Sequence, residues 1–478
     1  MIISTEMFTN RIAFDNPWWK TMSVNDEFTA VKPRKMLDAI YAHVTDWNLR
    51  RAILLLGPRR VGKTWLMQHL IAKLLQEKIV APQNIIFISI DVPIYHGAGL
   101  EELMYEAAKV CGANVKTDKM VVLFDEIQYL KDWELHLKTI SEAYANIRFV
   151  VSGSAASALA RGSAESGAGR FTDFTLAPLS FSEFLSITNE DALLHPIEVS
   201  TSSGVYQFPE PESYEKLNAL FLEYVNYGGY PELVTNRAVK ANPVQFIQRD
   251  IGDKVLLRDL PSIYHIEDVR DLQSFFSYIA FHSGMVQSWE TLSQGAGLRK
   301  PMISSFVRYL EDAFLVMRHE RVDISAASLQ RSTQFKLYLT NASLRASMFQ
   351  PVINADDPYL GYMVETAISA QFGIGTQRRH WRYANWKNGR SQGEVDFVQI
   401  HPGTQRPDIA LEVKWSDGPF DHPAELDKAI AFCEKNGLRQ LWVTTRTQRG
   451  IKKMGDVEMV FIPTASFAYQ LGGSELFK

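Results

Sequence analysis

The chain has 478 residues, of which 46% are hydrophobic, 22% charged and 12% aromatic. That composition excludes intrinsic disorder, collagen-like repeats and low-complexity architecture, and the length suits about three domains. With 50 Lys and Arg against 54 Asp and Glu, the net charge of -4 gives no global field for nucleic acid or a membrane surface, so any basic site is local.

At the N-terminus, MIISTEMFTNRIAFDNPWW lacks the basic start, apolar run and cleavage site of a secretory signal. No apolar run approaches the ~20 residues of a membrane helix, so no membrane partner is expected. Ile53 to Leu56 is a short apolar run ending in Gly57-Pro58, followed by a helical pattern from Lys63 to Leu75. Asn84 to Asp91, Met120 to Phe124 and Ile147 to Ser152 read as further buried strands. Leu100 to Val110 and Trp133 to Ala145 read as helices between them. Apolar strands alternating with helices predict an α/β fold with a parallel sheet covered on both faces, over about residues 31–190 behind an N-terminal segment 1–30. Ser154 to Arg170, rich in Ser, Ala and Gly, reads as a loop. Ala192 to Glu212, with Pro196, Pro209 and Pro211, reads as an irregular insertion that opens a helical lid to about residue 260. From Tyr214 to Phe349 the pattern is mostly helical, with strand-like Thr333 to Leu339 near its end. Past residue 350 a second, smaller α/β unit is expected. It has helices at Gly361 to Phe372 and Ala424 to Asn436, and strands at Glu394 to Ile400, Ile409 to Lys414 and Gln440 to Thr444. Two distant cysteines, Cys111 and Cys433, make neither a disulfide framework nor a zinc site, and a reducing, cytoplasmic setting is expected.

Gly57-Pro58-Arg59-Arg60-Val61-Gly62-Lys63-Thr64 fits G-x-x-x-x-G-K-[ST] between a buried strand and a helix that continues with Trp65. The glycines let backbone N–H groups wrap a phosphate, and the helix N-terminus adds positive potential. Lys63 would reach the β- and γ-phosphates of ATP and Thr64 would bind Mg²⁺. The apolar strand ending in Asp125-Glu126 supplies a carboxylate for the Mg²⁺ shell and a second, Glu126, to polarise the attacking water. Ser154, past the next strand, is either a contact to the γ-phosphate or a strand-end turn. Arg170 is either a finger delivered to a neighbouring subunit's nucleotide in a homo-oligomer or a surface arginine.

Taken in order, GPRRVGKT, FDEIQ, VSGSAAS, LAPLSFSEF (Leu176 to Phe184) and YGGYPELV (Tyr227 to Val234) resemble a group of bacterial and archaeal AAA-type ATPases with a restriction-endonuclease-like C-terminal domain. The resemblance covers nearly the whole chain. It implies a P-loop ATPase core, a helical lid, a winged-helix segment over about 261–350 and a nuclease-like domain over 351–478. In that group the stretch after Lys336-Leu-Tyr338 commonly carries an acid and a glycine, where this chain has Asn341 and Ser343.

Leu272 to Phe281, Ser288 to Leu298 and Pro301 to Asp312 form a helix-turn-helix pattern, with Leu315 to Arg321 and Gln334 to Leu339 as wing strands. The third helix offers Arg299, Lys300, Ser304, Ser305 and Arg308 to a DNA groove, although Glu311 and Asp312 share it; the segment is either a DNA reader or a structural lid. Farther on, Asp396 followed by Glu412-Val413-Lys414 is the PD-(D/E)xK nuclease pattern. Asp396 and Glu412 would share one Mg²⁺, with Lys414 stabilising charge on a phosphate. Glu365 occupies the place where that resemblance puts a further acid, and Gln399 and Trp415 flank the site. Trp381, Arg382, Trp386, Lys387 and Arg390 suit either a single-stranded nucleic acid or a β-hairpin with an aromatic pair, the second being the simpler reading. His380 and His401 are too scattered for metal ligands, and Cys433 reads as core.

The resulting expectation is an ATP-hydrolysing switch that controls a nucleic-acid-directed nuclease-like domain. The alternative is a signalling ATPase whose C-terminal domain only binds protein or DNA.

Overall fold

Runs of β-branched and aromatic residues without polar alternation have no wet face, so they become strands covered on both sides. The computed structural model describes residues 5–154, 170–326, 332–354, 357–372, 381–388 and 391–473. The chain divides into two compact units, Met1–Ala177 and Pro178–Lys478.

In the first unit the elements are α1 (Thr5–Asp15), α2 (Leu37–Thr45), β1 (Ala52–Leu56), α3 (Lys63–Gln76), β2 (Ile85–Ser89), α4 (Leu100–Cys111), β3 (Met120–Asp125), α5 (Trp133–Ala143), β4 (Ile147–Gly153) and β5 (Phe171–Thr175). The strands pair in parallel in the order β2-β3-β4-β1-β5. Every residue of β1, β3 and β4 is buried, which is why those runs carry no alternation. Strand β5 has no such signature: Thr172, Asp173 and Thr175 interrupt it, and it lies at the sheet edge. The N-terminal segment closes the other edge. Asn16 Nδ2 donates to Phe87 O and Asn16 Oδ1 accepts from Phe87 N, a side-chain imitation of strand pairing. Trp18 and Trp19 both donate to Ile85 O. Unpaired edge groups invite other chains, and these contacts remove them.

The second unit opens with α6 (Phe181–Ile187), whose Ser180 and Glu183 form a capping box. Next come β6 (Leu194–Thr201) and β7 (Gly204–Pro211), an antiparallel ribbon. This corrects the irregular insertion expected there. Pro196 stands opposite Pro209, and in a two-stranded ribbon each strand keeps a free edge where proline is tolerated. After α7 (Tyr214–Tyr227) and a series of short helical turns come α8 (Val269–Phe281), β8 (Val286–Ser288), α9 (Trp289–Ala296), α10 (Lys300–Asp312), β9 (Val316–Val322) and β10 (Gln334–Leu339). Then follow α11 (Leu360–Phe372), β11 (Trp381–Asn388), β12 (Ser391–Ile400), β13 (Pro407–Glu412), α12 (Asp427–Asn436), β14 (Gln440–Thr445), β15 (Gly450–Met454), β16 (Val457–Pro463) and α13 (Thr464–Gly473).

Nine of these strands make one sheet, in the order β15-β16-β14-β13-β12-β11-β9-β10-β8. Strands β11, β12 and β13 are an antiparallel meander, and β14 then runs parallel to β13 after α12. Strand β9 pairs in parallel with β11 through Tyr383 opposite Arg321. Strands β8 to β10 and the C-terminal strands thus share a single sheet across residue 350. Period-two patterning marks strands but does not say which strand pairs with which. Phe181, Phe221 and Tyr224 join Phe397, Trp442 and Phe467 in one core. Gly229, from YGGYPELV, lies against Asn341: a Cβ there would sit 1.5 Å from Asn341 Nδ2.

Candidate active sites

The loop between β1 and α3 is built by backbone geometry. Gly57 passes so close to the chain after β5 that a Cβ would lie 2.3 Å from Leu176 O, and Gly62 has φ 93° at the start of α3. Arg34, buried and outside the motif, donates to Val61 O at 2.6 Å and to Ala177 O at 2.9 Å, pinning the loop. Lys63 Nζ donates to Gly57 O and Pro58 O at 3.0 and 2.9 Å, inside the loop it belongs to. Burial pushes its pKa down, although Glu126 and Asp125 oppose that. Thr64 Oγ1 donates to Asp125 Oδ2 at 2.7 Å. Ser152, on β4, donates to the other oxygen of Asp125. Burial, helped by the charge of Glu126, raises the Asp125 carboxyl to about 6. A hydroxyl beside a buried carboxylate is a hard oxygen pair that fits Mg²⁺, and the loop with the α3 N-terminus fits a phosphate chain.

Glu126 has φ 54°, the left-handed region, which turns its side chain out of the strand direction. Gln128 joins it to the next strand: its amide donates to Glu126 Oε2 and its carbonyl accepts from Ser154 N at 3.2 Å. Ser154 Oγ is buried without a hydrogen-bond partner among the described residues. Arg170 stands apart from this group, its Nε 2.8 Å from Glu142 Oε1 at the surface. Residues 155–169, the rest of the expected loop, lie outside the described residues. Trp65 packs edge-on against Phe28 at 5.2 Å.

In the second unit, Asp396 on β12 and Glu412 at the end of β13 follow directly from the registered pair Phe397–Leu411. Lys414 lies just past β13, and its Nζ is 3.2 Å from Asp396 Oδ2 and 2.7 Å from Glu412 Oε2. Val413 N donates to Asp396 Oδ2 at 2.8 Å, and Lys414 N donates to Thr444 Oγ1 at 2.8 Å. Burial and the adjacent Asp396 drive the Glu412 carboxyl up to about 8. Burial acts on Asp396 too, but Lys414 and Lys336 outweigh it and hold that carboxyl below its usual range. Glu365, on α11, is raised by burial and is tied to Lys336 and Tyr338 of β10. The donor set is all oxygen, which fits Mg²⁺ or Mn²⁺ rather than a softer metal. Among the described residues no three His, Cys, Asp or Glu side chains form a ready metal cage. A two-carboxylate Mg²⁺ site completed by water needs none.

The flanking residues go to packing. Trp415 stacks on Phe221 at 5.4 Å, and Gln399 is paired opposite Trp381 in the sheet. Trp381 stacks on Phe372 at 4.0 Å and Trp386 on Phe432 at 6.1 Å, so neither is a platform for bases. Arg390 and His380 lie outside the described residues. His401 accepts from Gly403 N and Thr404 N in a turn, and Cys433 is core. On α10, Ile303, Phe306, Val307 and Leu310 are buried, Ser305 is half-buried, and Lys300, Ser304 and Arg308 are exposed, as is Arg299 just before the helix. Lys300 pairs with Glu290 of α9. The residues that motif reading missed are Arg34, Gln128, Ser152, Lys336 and Tyr338. Gln128 was inside FDEIQ and Ser152 inside VSGSAAS, and Lys336-Leu-Tyr338 was noted only as a landmark; Arg34 lies outside every quoted motif, where no single-sequence signal marks it.

Residues 49–185 match the family described as AAA domain, and residues 218–356 match a domain of unknown function (DUF8612). The first stretch is an AAA-type P-loop ATPase domain with a parallel-sheet core. An uncharacterized protein of Haemophilus influenzae is 25% identical over 299 residues, 60% of this chain and 67% of that one. An uncharacterized protein of Methanocaldococcus jannaschii is 22% identical over 410 residues, 82% of each. Cdc6p from Pyrobaculum aerophilum, a solved structure, covers 68% of this chain and 97% of its own at 13% identity, with a TM-score of 0.30. Overlap that shallow decides nothing about activity. No helix among the described residues is long and apolar enough to cross a membrane.

Proposed function

We propose that this chain is a Mg²⁺-dependent ATPase whose nucleotide state controls a metal-dependent, nucleic-acid-directed site of restriction-endonuclease type in its second unit. The observation that carries the reading is Lys414 bridging Asp396 and Glu412 on neighbouring strands. Around that bridge the order helix, three-stranded meander, helix, parallel strand supports the nuclease-like assignment. The AAA match and the Thr64–Asp125 pair support ATP and Mg²⁺ in the first unit.

In the first unit, Lys63 would turn from Gly57 and Pro58 carbonyls to the β- and γ-phosphates, and Thr64 and Asp125 would hold Mg²⁺. Glu126 would polarise the water, with Gln128 and Ser154 setting its position. In the second unit, Asp396 and Glu412 would hold a Mg²⁺ whose chemistry is to activate water and neutralise phosphate charge. Lys414 would stabilise the charge developing on the scissile phosphate. The exposed face of α10, with Arg299, Lys300, Ser304 and Arg308, would meet duplex phosphates, which makes binding salt-dependent.

A second reading, binding without cutting, is favoured by Lys336 and Lys414 already standing against the acids. The test incubates full-length protein with plasmid, single strands and RNA, with Mg²⁺ or Mn²⁺, with and without ATP. The expected result is metal-dependent cleavage that ATP alters and that Asp396→Asn abolishes, while phosphate release persists in that variant. Retention of nucleic acid without cleavage under every condition would leave the second reading standing.

A further inference from the structure

The parallel sheet of the first unit has a basic end that the nucleotide loop does not use. Arg148, the second residue of β4, is 4% exposed. Its Nη1 donates to Ala145 O and Ile147 O, both at 3.4 Å, beyond the usual range. Its Nε and Nη2 have no hydrogen-bond partner among the described residues. Those two N–H groups lie along one edge of the guanidinium, the fork that takes two oxygens of one oxyanion. Strand β4 pairs with β1 through Ile53 opposite Val150, and carrying that register back two residues sets Arg51 beside Arg148. Arg148 lines a hollow with Arg50, Arg51, Ser141 and Tyr144. Arg50 and Arg51 are exposed, so Arg148 forms the floor and they form the rim. Arg148 and Lys119 both sit over the Trp47 ring, 4.7 and 5.1 Å from its centre. The nearby acids are engaged in their own turns: Asp46 accepts from Asn48 N, and Asp118 accepts from Asn114 N and Thr117 Oγ1. Neither forms an ion pair with these cations among the described residues. Burial lowers the Arg148 pKa; Asp46 opposes that, and the charge of Arg50 adds to it.

We propose that Arg148, with Arg50 and Arg51 at the rim above it, binds a phosphate group at the N-terminal end of the sheet, at the opposite end of β1 from Gly57. An arginine is buried that deeply only where it is paired, and orphaned donors on one are completed by a ligand. A carboxylate brings a single charge to this group of cations. A terminal phosphate carries about -1.5 to -2 at pH 7, and a nucleic-acid strand repeats its charge at every nucleotide. The chemistry therefore has two sources, a small phosphate anion or a nucleic-acid backbone. Strands β1 and β4 carry both anion sites of this unit. The hollow is at their starts, and Gly57 and Ser152 are at their far ends, about 17 Å away along β1. An anion in the hollow would tie the α2–β1 connection to β4. The inference stands apart from the ATP and metal readings.

The test applies two probes to full-length protein at fixed ionic strength, in a Lys63→Ala background so that the nucleotide loop contributes little. Equilibrium dialysis follows radiolabelled inorganic phosphate, and fluorescence anisotropy follows a labelled oligothymidine strand. Arg148→Met is expected to weaken one probe or both roughly tenfold, because charge-assisted hydrogen bonds from a buried donor are lost. Arg51→Gln, at the exposed rim, should weaken the same probe about two- to fivefold. Melting curves establish folding. If Arg148→Met does not fold, Arg50→Gln combined with Arg51→Gln carries the test, with a loss of about fivefold expected. Loss for inorganic phosphate alone assigns the hollow to a small anion. Loss for the strand, with a salt slope shallower by about 0.7, assigns it to a nucleic-acid backbone. Failure of both probes to bind the Lys63→Ala protein would overturn the proposal and leave the two donors to water. So would unchanged binding of both in a folded Arg148→Met, or in the folded rim double variant where Arg148→Met fails to fold.

Discussion

The site in the first unit and the site in the second both hold a lysine near carboxylates, Lys63 on loop carbonyls and Lys414 on the acids themselves, and they rest on different supports. Around β1 and α3 the scaffold is mainly backbone: a turn of eight residues, closed by Gly57 against Leu176 and pinned by Arg34. In the second unit the scaffold is side chains, from α11, β10, β12 and the end of β13, meeting across a sheet. A backbone cradle is specified by consecutive residues and tolerates exchange of most of their neighbours. A side-chain cluster is specified by four separate elements and depends on each being in register.

The largest expected effect tests the first half of that contrast. Lys63→Ala should lower phosphate release roughly 10²–10³-fold, since it removes the ammonium buried within the loop. Glu126→Gln should slow turnover about 100-fold while ATP still binds, read by calorimetry beside a phosphate-release assay. Loss of binding in Glu126→Gln would mean the carboxylate shapes the loop rather than acts on water.

The same contrast explains what was legible beforehand. Glycine spacing, the strand before it and the acids at the end of β3 are local, so the P-loop and the acid that meets Thr64 could be read off the chain. Asp396, Glu412 and Lys414 were readable because two of the three are two residues apart. Lys336 was not, because its meaning comes from α11 and β12, far away along the chain. Strand β5 was missed because an edge strand carries polar residues, and the β6–β7 ribbon was missed because its prolines look like breakers. The shared nine-stranded sheet was missed because pairing leaves no local trace.

A smaller effect sets backbone support against side-chain support at two glycines. In Gly57→Ala the new methyl meets a main-chain oxygen that cannot move aside, and about 3 kcal/mol should be lost from the first unit. In Gly229→Ala it meets the end of a side chain, Asn341, so about 1–3 kcal/mol should be lost and largely regained on adding Asn341→Ala. Melting of the single and double variants checks this. Failure of the second substitution to restore Gly229→Ala would mean that backbone, not Asn341, sets the limit there.

The smallest effect is a pH dependence confined to the second unit. His319 is buried on β9 with Nε2 3.0 Å from Ser369 Oγ, its ring edge-on to Tyr338 and Phe397, and Lys336 the charge nearby. Burial first, and then the charge of Lys336, lower its pKa to about 3. The fold therefore favours the neutral ring. Its contribution is complete above the unfolded value of about 6.5 and is lost progressively as pH falls towards about 3. By pH 5 the loss is about 2 kcal/mol, from roughly 1.5 pH units at ~1.4 kcal/mol each. Chemical denaturation of wild type and His319→Gln at pH 8 and pH 5 should differ by that amount in the second unit's transition, with the variant the less sensitive to acid. A variant that loses as much stability between the two pH values as wild type would show that another group in this cluster, and not the imidazole, carries the acid response.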